Sequence, residues 1–408
     1  MDSKTTLPVK STRSMEVFPQ FDGDLFADDV LADSAPAFRQ LRALGDAVWV
    51  PNLDMFVVAR YKDVVASLRA ADTLISGNGV SVNAQMNGSA SPSSISTLNT
   101  DGELHAKLKR IEMRPLMPGP LGELRGRLEK MVNELLDQFG NGTEFEAMRS
   151  FASVLPTRVV ADLVGINDVG HERMLAWSSA IFDAFGPATH ARTAAAIPTI
   201  QQFVRYGMRL TRADVVPGGW ADRMLEAGER GELSMEHAHS LVFDYVLPSL
   251  DSTIYSTGEM LHGLATTAGA FDKVRANQDL IPGVINESVR LASPLRGFTR
   301  FVQEDFKLSE STLPAGSRAW ILIASANRDE RHYPAPDCFD VERNPRDHLG
   351  WGHGVHSCTG MHLARLELEV ILRALVKRVR SMEAGTPTRI INNAAQGYAT
   401  LPLRLHGA

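Results

Sequence analysis

The sequence predicts a mainly α fold with small β-sheets at one side. Long stretches carry apolar residues at helical spacing, strand signals are few, and no internal repeat or low-complexity linker divides the 408 residues. In chain order, residues 1–20 are expected to form a flexible N-terminal segment, and 21–408 a single domain. Ala47 to Arg60 suggests a hairpin around Pro51-Asn52. Ser76 to Asp101 is rich in Ser, Asn and Gly, and a loop this long in a compact domain is usually functional or mobile. Leu121–Phe139 and Phe151–Val164 read as helices. Ser234–Ala268 reads as one long helix with Pro248 near its middle, and Pro282–Leu291 as a helix with Pro in its first turn. Phe306 to Ala324 suggests a second hairpin around Pro314-Ala315-Gly316. Gly360–Val379 is amphipathic, with Leu363, Leu366, Val370, Leu372, Leu375 and Val379 on one face.

Composition narrows the function. The chain is 44% hydrophobic and 22% charged, enough apolar material for a large core. Its net charge of −6 offers no concentrated basic face, so no nucleic-acid partner is expected. Met1 to Gly23 has no apolar run, and no window is long and apolar enough for a bilayer span. No signal peptide and no membrane contact are therefore expected, and the location is expected to be cytoplasmic. With two cysteines, Cys338 and Cys358, neither a disulfide framework nor a Cys-rich zinc site can be built. Sulfur chemistry must run through one thiolate.

That thiolate is expected at Cys358, within Trp351-Gly-His-Gly-Val-His-Ser-Cys358-Thr-Gly360, directly before a long helix. Gly352, Gly354 and Gly360 allow backbone conformations other residues resist and a close approach to a flat ligand. A cysteine at a helix N-terminus faces backbone N–H groups that favour the anion. A thiolate axial ligand pushes electron density onto haem iron and favours O–O cleavage. His356, two residues earlier, is within reach of a haem propionate. A lone cysteine is more often a small buried hydrophobe, but the Gly/His setting argues against that here.

The segment resembles the haem-binding signature of the cytochrome P450 family, Phe-Gly-x-Gly-x-His-x-Cys-x-Gly, at every position but one, where Trp351 replaces Phe. The resemblance implies the family's triangular-prism fold over nearly all the chain after about residue 20 and haem b (iron protoporphyrin IX) as cofactor. Glu287-Ser-Val-Arg290 is similar to the family's Glu-x-x-Arg helix, whose two residues share a face. The resemblance implies that they join Arg343 in a buried network bracing the haem loop. His105-Ala-Lys-Leu-Lys109-Arg110 is similar to the His-x-x-x-Arg helix that contacts haem propionates, with Lys109 at the Arg position, so Lys109 or neighbouring Arg110 is expected to supply the cation. Lys offers a point charge rather than a fork. Arg300, beyond the Ser293-Pro294 turn, fits another propionate contact.

Leu247-Pro-Ser-Leu-Asp251-Ser252-Thr253 resembles the family's oxygen-activating segment, Ala/Gly-Gly-x-Asp/Glu-Thr-Thr/Ser. Splitting dioxygen consumes protons, and a solvent-exchanging carboxylate beside a hydroxyl suits a relay, so Asp251 and Ser252 are the expected catalytic pair. Ser249 replaces the family's Gly, and Pro248 is expected to kink the helix and widen the groove by another device.

For the substrate, the resemblance points to Ser76–Leu98, Phe182 and Phe185, Leu295–Thr299 and Tyr398–Thr400. Phe182, Phe185 and Phe298 are candidates to stack around a small ring. Ile181-Phe-Asp-Ala-Phe-Gly-Pro187 resembles bacterial members that oxidise aromatic acids. The early loop offers Ser91, Ser93, Ser94 and Ser96 but no Lys or Arg, leaving Arg296 as the candidate cation for an anionic group. A neutral phenol or terpenoid stays open. The expected reaction is hydroxylation or oxidative O-demethylation of a small hydrophobic substrate with dioxygen. Electrons are expected from a ferredoxin and ferredoxin reductase, docking near Lys107, Lys109, Arg110, Arg114 and Arg365. Two rival readings are a peroxygenase using peroxide directly, against which the acid–alcohol pair argues, and a haem-binding sensor without turnover.

Overall fold

A computed structural model describes residues 18–87, 96–166, 169 and 171–407. A five-stranded sheet is built from β1 (Val48–Val50), β2 (Met55–Val58), β3 (Leu74–Ile75), β4 (Phe298–Val302) and β5 (Arg318–Ile321), in the order β1-β2-β5-β4-β3. Only the β2–β5 pair is parallel. Apolar side chains cover both faces. Trp49, Phe56, Val58, Val302 and Ile321 pack on one, and Val48, Val50, Val57 and Trp320 on the other. That two-sided burial explains the continuous apolar runs Val48-Trp-Val50 and Met55-Phe-Val-Val58.

The first expected hairpin forms around Pro51–Leu53, with Asp54 in the left-handed region at φ 50°. The second differs. Phe306–Lys307 pairs with Thr312–Leu313 in a small ribbon of its own. Beyond Pro314, β5 returns to pair with β4, setting Phe298 opposite Ile321 and Arg300 opposite Ala319. Residues 18–20, assigned from sequence to a flexible segment, are pinned to the sheet. Phe18 stacks edge-on against Phe56 at 4.7 Å, and the Trp49 N–H donates to the Pro19 carbonyl at 2.9 Å.

Helices form the larger part and enclose the main core. Four position the site: α1 (Gly102–Met113), α2 (His171–Ala184), α3 (Met235–Thr266) and α4 (Ile281–Ala292); α5 (Met361–Arg378) follows the cysteine loop. The long helix α3 starts at Ser234, whose Oγ accepts the His237 N–H at 3.2 Å. It runs through Pro248 as one helix rather than breaking there. The Ser249 and Ser252 hydroxyls bond back to the carbonyls of Tyr245 and Pro248 at 2.7 and 2.8 Å. The expected helix at Leu121–Phe139 is Arg125–Leu136, and that at Phe151–Val164 narrows to Val154–Val160 between two wider, π-type turns. Among the described residues no helix is long and apolar enough to cross a membrane.

Candidate haem site

The loop from Trp351 to Gly360 is closed by the Cys358 N–H, which donates to the Trp351 carbonyl at 2.8 Å. Two turns in it need a positive φ, at Gly352 (67°) and Gly354 (71°). Gly354 also lies against helix 61–69, where a Cβ would come within 2.6 Å of the Leu68 carbonyl oxygen. The sequence expected glycine here for conformational reasons; close backbone packing is a second one.

Cys358 is exposed on one side and walled by protein on the others. Burial by those walls raises its thiol pKa to about 11, against the N–H groups of Gly360 and Met361, which pull it down. A metal on the open side would deprotonate the thiol outright.

His105 and His356 meet on one flank of the loop, their ring centroids 4.1 Å apart. The His105 ring nitrogens reach the carbonyls of Thr97 at 3.0 Å and Val355 at 3.1 Å. His356 Nε2 lies 3.2 Å from the Ser76 hydroxyl and 3.4 Å from the Asp101 carboxylate. Burial, followed by the charges of Arg300 and His105, takes its pKa down to about 4, against the pull of Asp101. Asp101, which the sequence reading missed, also accepts the N–H groups of Ser76 and Gly77 at 3.0 and 2.6 Å. No local pattern marks a residue whose partners lie both in the preceding loop and on the cysteine segment.

Arg300 is buried on β4, and its one hydrogen bond among the described residues goes to its own neighbour's carbonyl, Thr299, at 2.9 Å. Burial lowers its pKa to about 10. With most donors free and no carboxylate in ion-pair range among the described residues, this buried guanidinium is costly unless an anion meets it. Lys109 departs from expectation. Its ammonium grips the carbonyls of Val355 and Ser357 at 2.5 and 2.6 Å, so its charge braces the loop instead of facing a propionate. Arg110, Lys107 and Arg114 are exposed. Arg365 leans over the Trp351 ring at 5.8 Å.

Glu287, Arg290 and Arg343 come together. Arg290 Nε and Nη2 hold the two Glu287 oxygens at 2.7 and 2.8 Å, and Arg290 Nη1 donates to the carbonyls of Asn327 and Pro336 at 2.7 Å each. Arg343 Nε lies 3.2 Å from Glu287, with its Nη atoms on the Pro334 and Ala335 carbonyls. The cluster joins α4 to the segment leading into the cysteine loop.

On α3, Asp251 and Ser252 face different ways, as helix neighbours must. Asp251 is buried, and its Oδ2 has no hydrogen-bond partner among the described residues. Burial raises its pKa to about 7; the Ser178 hydroxyl on α2 opposes the shift and the Asp183 charge adds to it. The Ser252 hydroxyl is taken by the Pro248 carbonyl. The acid and alcohol are therefore not joined directly.

Phe182, Phe185 and Phe298 form a row, with edge-on contacts at 6.3 and 6.5 Å. The Phe185 carbonyl accepts the N–H groups of Val82 and Asn83 at 3.1 and 3.2 Å, tying the early loop to the end of α2. Ser91, Ser93 and Ser94 lie outside the described residues. Arg296, the candidate substrate cation, is fully buried and committed elsewhere: its Nη atoms bond the carbonyls of Asn392, Ala395 and Leu31 at 2.6–2.7 Å. It staples three backbone segments, and its Nε is buried without a hydrogen-bond partner among the described residues.

The family profile described as Cytochrome P450 matches residues 220–403. The curated relative Cytochrome p450 CYP199A2 of Rhodopseudomonas palustris is 31% identical over 394 residues, covering 95% of this chain and 94% of that protein. The chain belongs to the cytochrome P450 family. The 6-deoxyerythronolide B hydroxylase of Saccharopolyspora erythraea is 27% identical over 76% of this P450 and 77% of its own length. Among solved structures, epothilone D-bound cytochrome P450epoK superposes with TM-score 0.81 at 24% identity, covering 95% of this P450 and 100% of that chain. CYP108D1 from Novosphingobium aromaticivorans gives TM-score 0.77 at 24% identity, over 93% and 97%. The P450 prism predicted from the motifs is the fold of this chain.

The protein is thus a haem-dependent monooxygenase, acting on an organic compound and dioxygen with electrons from a redox partner. Its residues fit haem: an exposed thiol, glycine turns at 352 and 354, and a buried cation, Arg300, with no ion pair among the described residues. When bound, haem supplies the iron at which dioxygen is activated.

Proposed function

We propose that this P450 hydroxylates or O-demethylates a small, hydrophobic, aromatic substrate, with Cys358 as the iron ligand. The row of Phe182, Phe185 and Phe298 carries this reading, because edge-on rings are the usual packing around another ring. Arg300 and His356 hold the propionates, and His105, its two ring nitrogens on the Thr97 and Val355 carbonyls, supports His356 by ring contact rather than meeting a propionate itself, while Trp351, Gly352 and Gly360 shape the thiolate loop. Lys109 clamps that loop through the carbonyls of Val355 and Ser357. Asp251 holds a proton near neutral pH at a carboxyl oxygen with no competing partner, which suits delivery to the oxygen site. Ser252 contributes once its hydroxyl leaves the Pro248 carbonyl. Electrons come from a cytoplasmic ferredoxin and its reductase, docking on the side of the exposed Lys107, Arg110 and Arg114.

The test is a panel of methoxy- and alkyl-substituted benzenes with purified holoprotein, ferredoxin and ferredoxin reductase. The expected result is displacement of iron-bound water and ferredoxin-dependent product. Turnover with peroxide equal to that with the reductase chain, or product from aliphatic compounds alone, would overturn it.

A further inference from the structure

Three nitrogen donors cluster at the start of the cysteine loop: Trp351 Nε1, His348 Nε2 and Arg365 Nε are each buried without a hydrogen-bond partner among the described residues. Their side chains are neighbours. The His348 ring lies 6.0 Å from that of Trp351, and the Arg365 guanidinium carbon lies over the Trp351 ring at 5.8 Å. A buried donor left unmet is costly, so the indole N–H calls for an acceptor.

Neither neighbour can be that acceptor. Arg365, whose Nη2 reaches Asn286 Oδ1 at 3.3 Å, has donors only. His348 takes the Gly350 N–H on Nδ1 at 3.2 Å. Burial, followed by the charges of Arg365 and Arg290, lowers its pKa to about 3, so the ring is neutral and its one proton sits on Nε2. The loop itself carries a different acceptor. The Cys358 N–H donates to the Trp351 carbonyl at 2.8 Å, which sets the two residues against each other where the loop closes. Helix α5 starts three residues after Cys358, and Arg365 opens its second turn. A neutral thiol accepts hydrogen bonds weakly, whereas a thiolate is an anion that takes charge-assisted ones. The backbone N–H groups of Gly360 and Met361 already favour that anion.

We propose that, with haem bound, the Trp351 indole N–H donates a hydrogen bond to the Cys358 thiolate and holds the iron at a higher reduction potential than Phe at this position would. The inference rests on the reading of Cys358 as the iron ligand. It concerns the one position at which the cysteine loop departs from the family's signature, since Phe has no donor to offer. Reduction adds negative charge to the iron and its sulfur ligand, so a donor at the sulfur favours the reduced state. Arg365 strengthens the donor. A guanidinium within about 6 Å of an aromatic ring draws on its π electrons, which makes the indole N–H more acidic.

The experiment replaces Trp351 in the holoprotein in two ways. Trp351→Phe installs the family's residue, and site-specific 3-benzothienylalanine keeps the indole's shape with sulfur in place of the N–H. The reduction potential is read by spectroelectrochemistry, and the C–O stretch of the reduced carbon monoxide complex by infrared absorption. At a fixed applied potential, both variants are expected to show a reduced-to-oxidised ratio roughly tenfold lower, a fall of about 59 mV for one electron. The C–O stretch should move to lower frequency in both, because a fuller thiolate charge increases donation from the iron into the bound carbon monoxide. The benzothienyl variant serves alone if Trp351→Phe does not retain haem. A potential and a stretch that neither variant moves overturn the bond. A shift in Trp351→Phe that the benzothienyl variant does not share overturns it too, because ring size then sets the potential. The reduced carbon monoxide spectrum of the unaltered protein separates two failures. Thiolate-ligated haem with an unmoved potential sinks the indole bond alone, whereas a spectrum without thiolate ligation sinks the haem site beneath it.

Discussion

Replacing Glu287 by Gln tests whether the buried ion cluster holds the haem loop in place. Arg290 and Glu287 are both fully buried and make two short bonds to each other. Gln preserves the shape but leaves the Arg290 guanidinium buried with no counter-charge. Removing one partner of such a pair costs about 3–5 kcal/mol. In a chain of this length that lowers Tm by roughly 4–6 °C. Arg290→Met should cost a similar amount, because it strands Glu287 and also removes donors from the Asn327 and Pro336 carbonyls. The double variant has neither charge stranded in full, so it should lose about 2 kcal/mol less than the two singles summed. Denaturation of the holoprotein, followed by circular dichroism and by the Soret band, measures both quantities. Single losses below about 1 kcal/mol, or strict additivity, would refute the reasoning.

Asp251→Asn should lower product formation by about 10²–10⁴-fold while leaving substrate-induced water displacement unchanged, as steady-state and spectral titrations would report; an unaffected rate contradicts its role. Glu367, buried on α5 with Oε1 unpartnered, has its pKa raised by burial to about 8, against about 4.3 in the unfolded chain. Its protonated form stabilises the fold below about pH 4, and that contribution is lost as pH rises through about 8, so Glu367→Gln should flatten stability over this window by on the order of a few kcal/mol. Denaturant midpoints between pH 5 and 9 check the sign. Arg300→Leu should weaken haem retention, read as faster haem transfer to an acceptor globin, since it removes a buried cation with no ion pair among the described residues. Phe185→Ala should weaken binding of aromatic ligands by about 1 kcal/mol or more, read by spectral titration against the unaltered protein.

The cysteine loop and the Glu287-Arg290 pair were legible because their chemistry lies within a few residues of sequence. Spacing alone puts Cys358 before α5 and sets Glu287 and Arg290 on one face of α4. The long helices were legible through their apolar spacing, and Ser234 gave the start of α3. Arg296 was misread because its partners, the carbonyls of residues 31, 392 and 395, are remote in sequence. Lys109 was misread for the same reason, its charge going to loop carbonyls some 250 positions away. The motif around Asp251 and Ser252 names both residues but not their helical phase, which turns one toward α2 and the other back onto α3. The strand at Phe298–Val302 was missed as a strand because a five-residue run carries little periodicity, and only pairing with β5 defines it.

The central claim is that Cys358 holds a haem iron, and the absorption spectrum of the dithionite-reduced protein under carbon monoxide tests it most directly. The account predicts a strongly red-shifted Soret band that Cys358→Ala abolishes. A spectrum of histidine-ligated type, unchanged by that substitution, would contradict it.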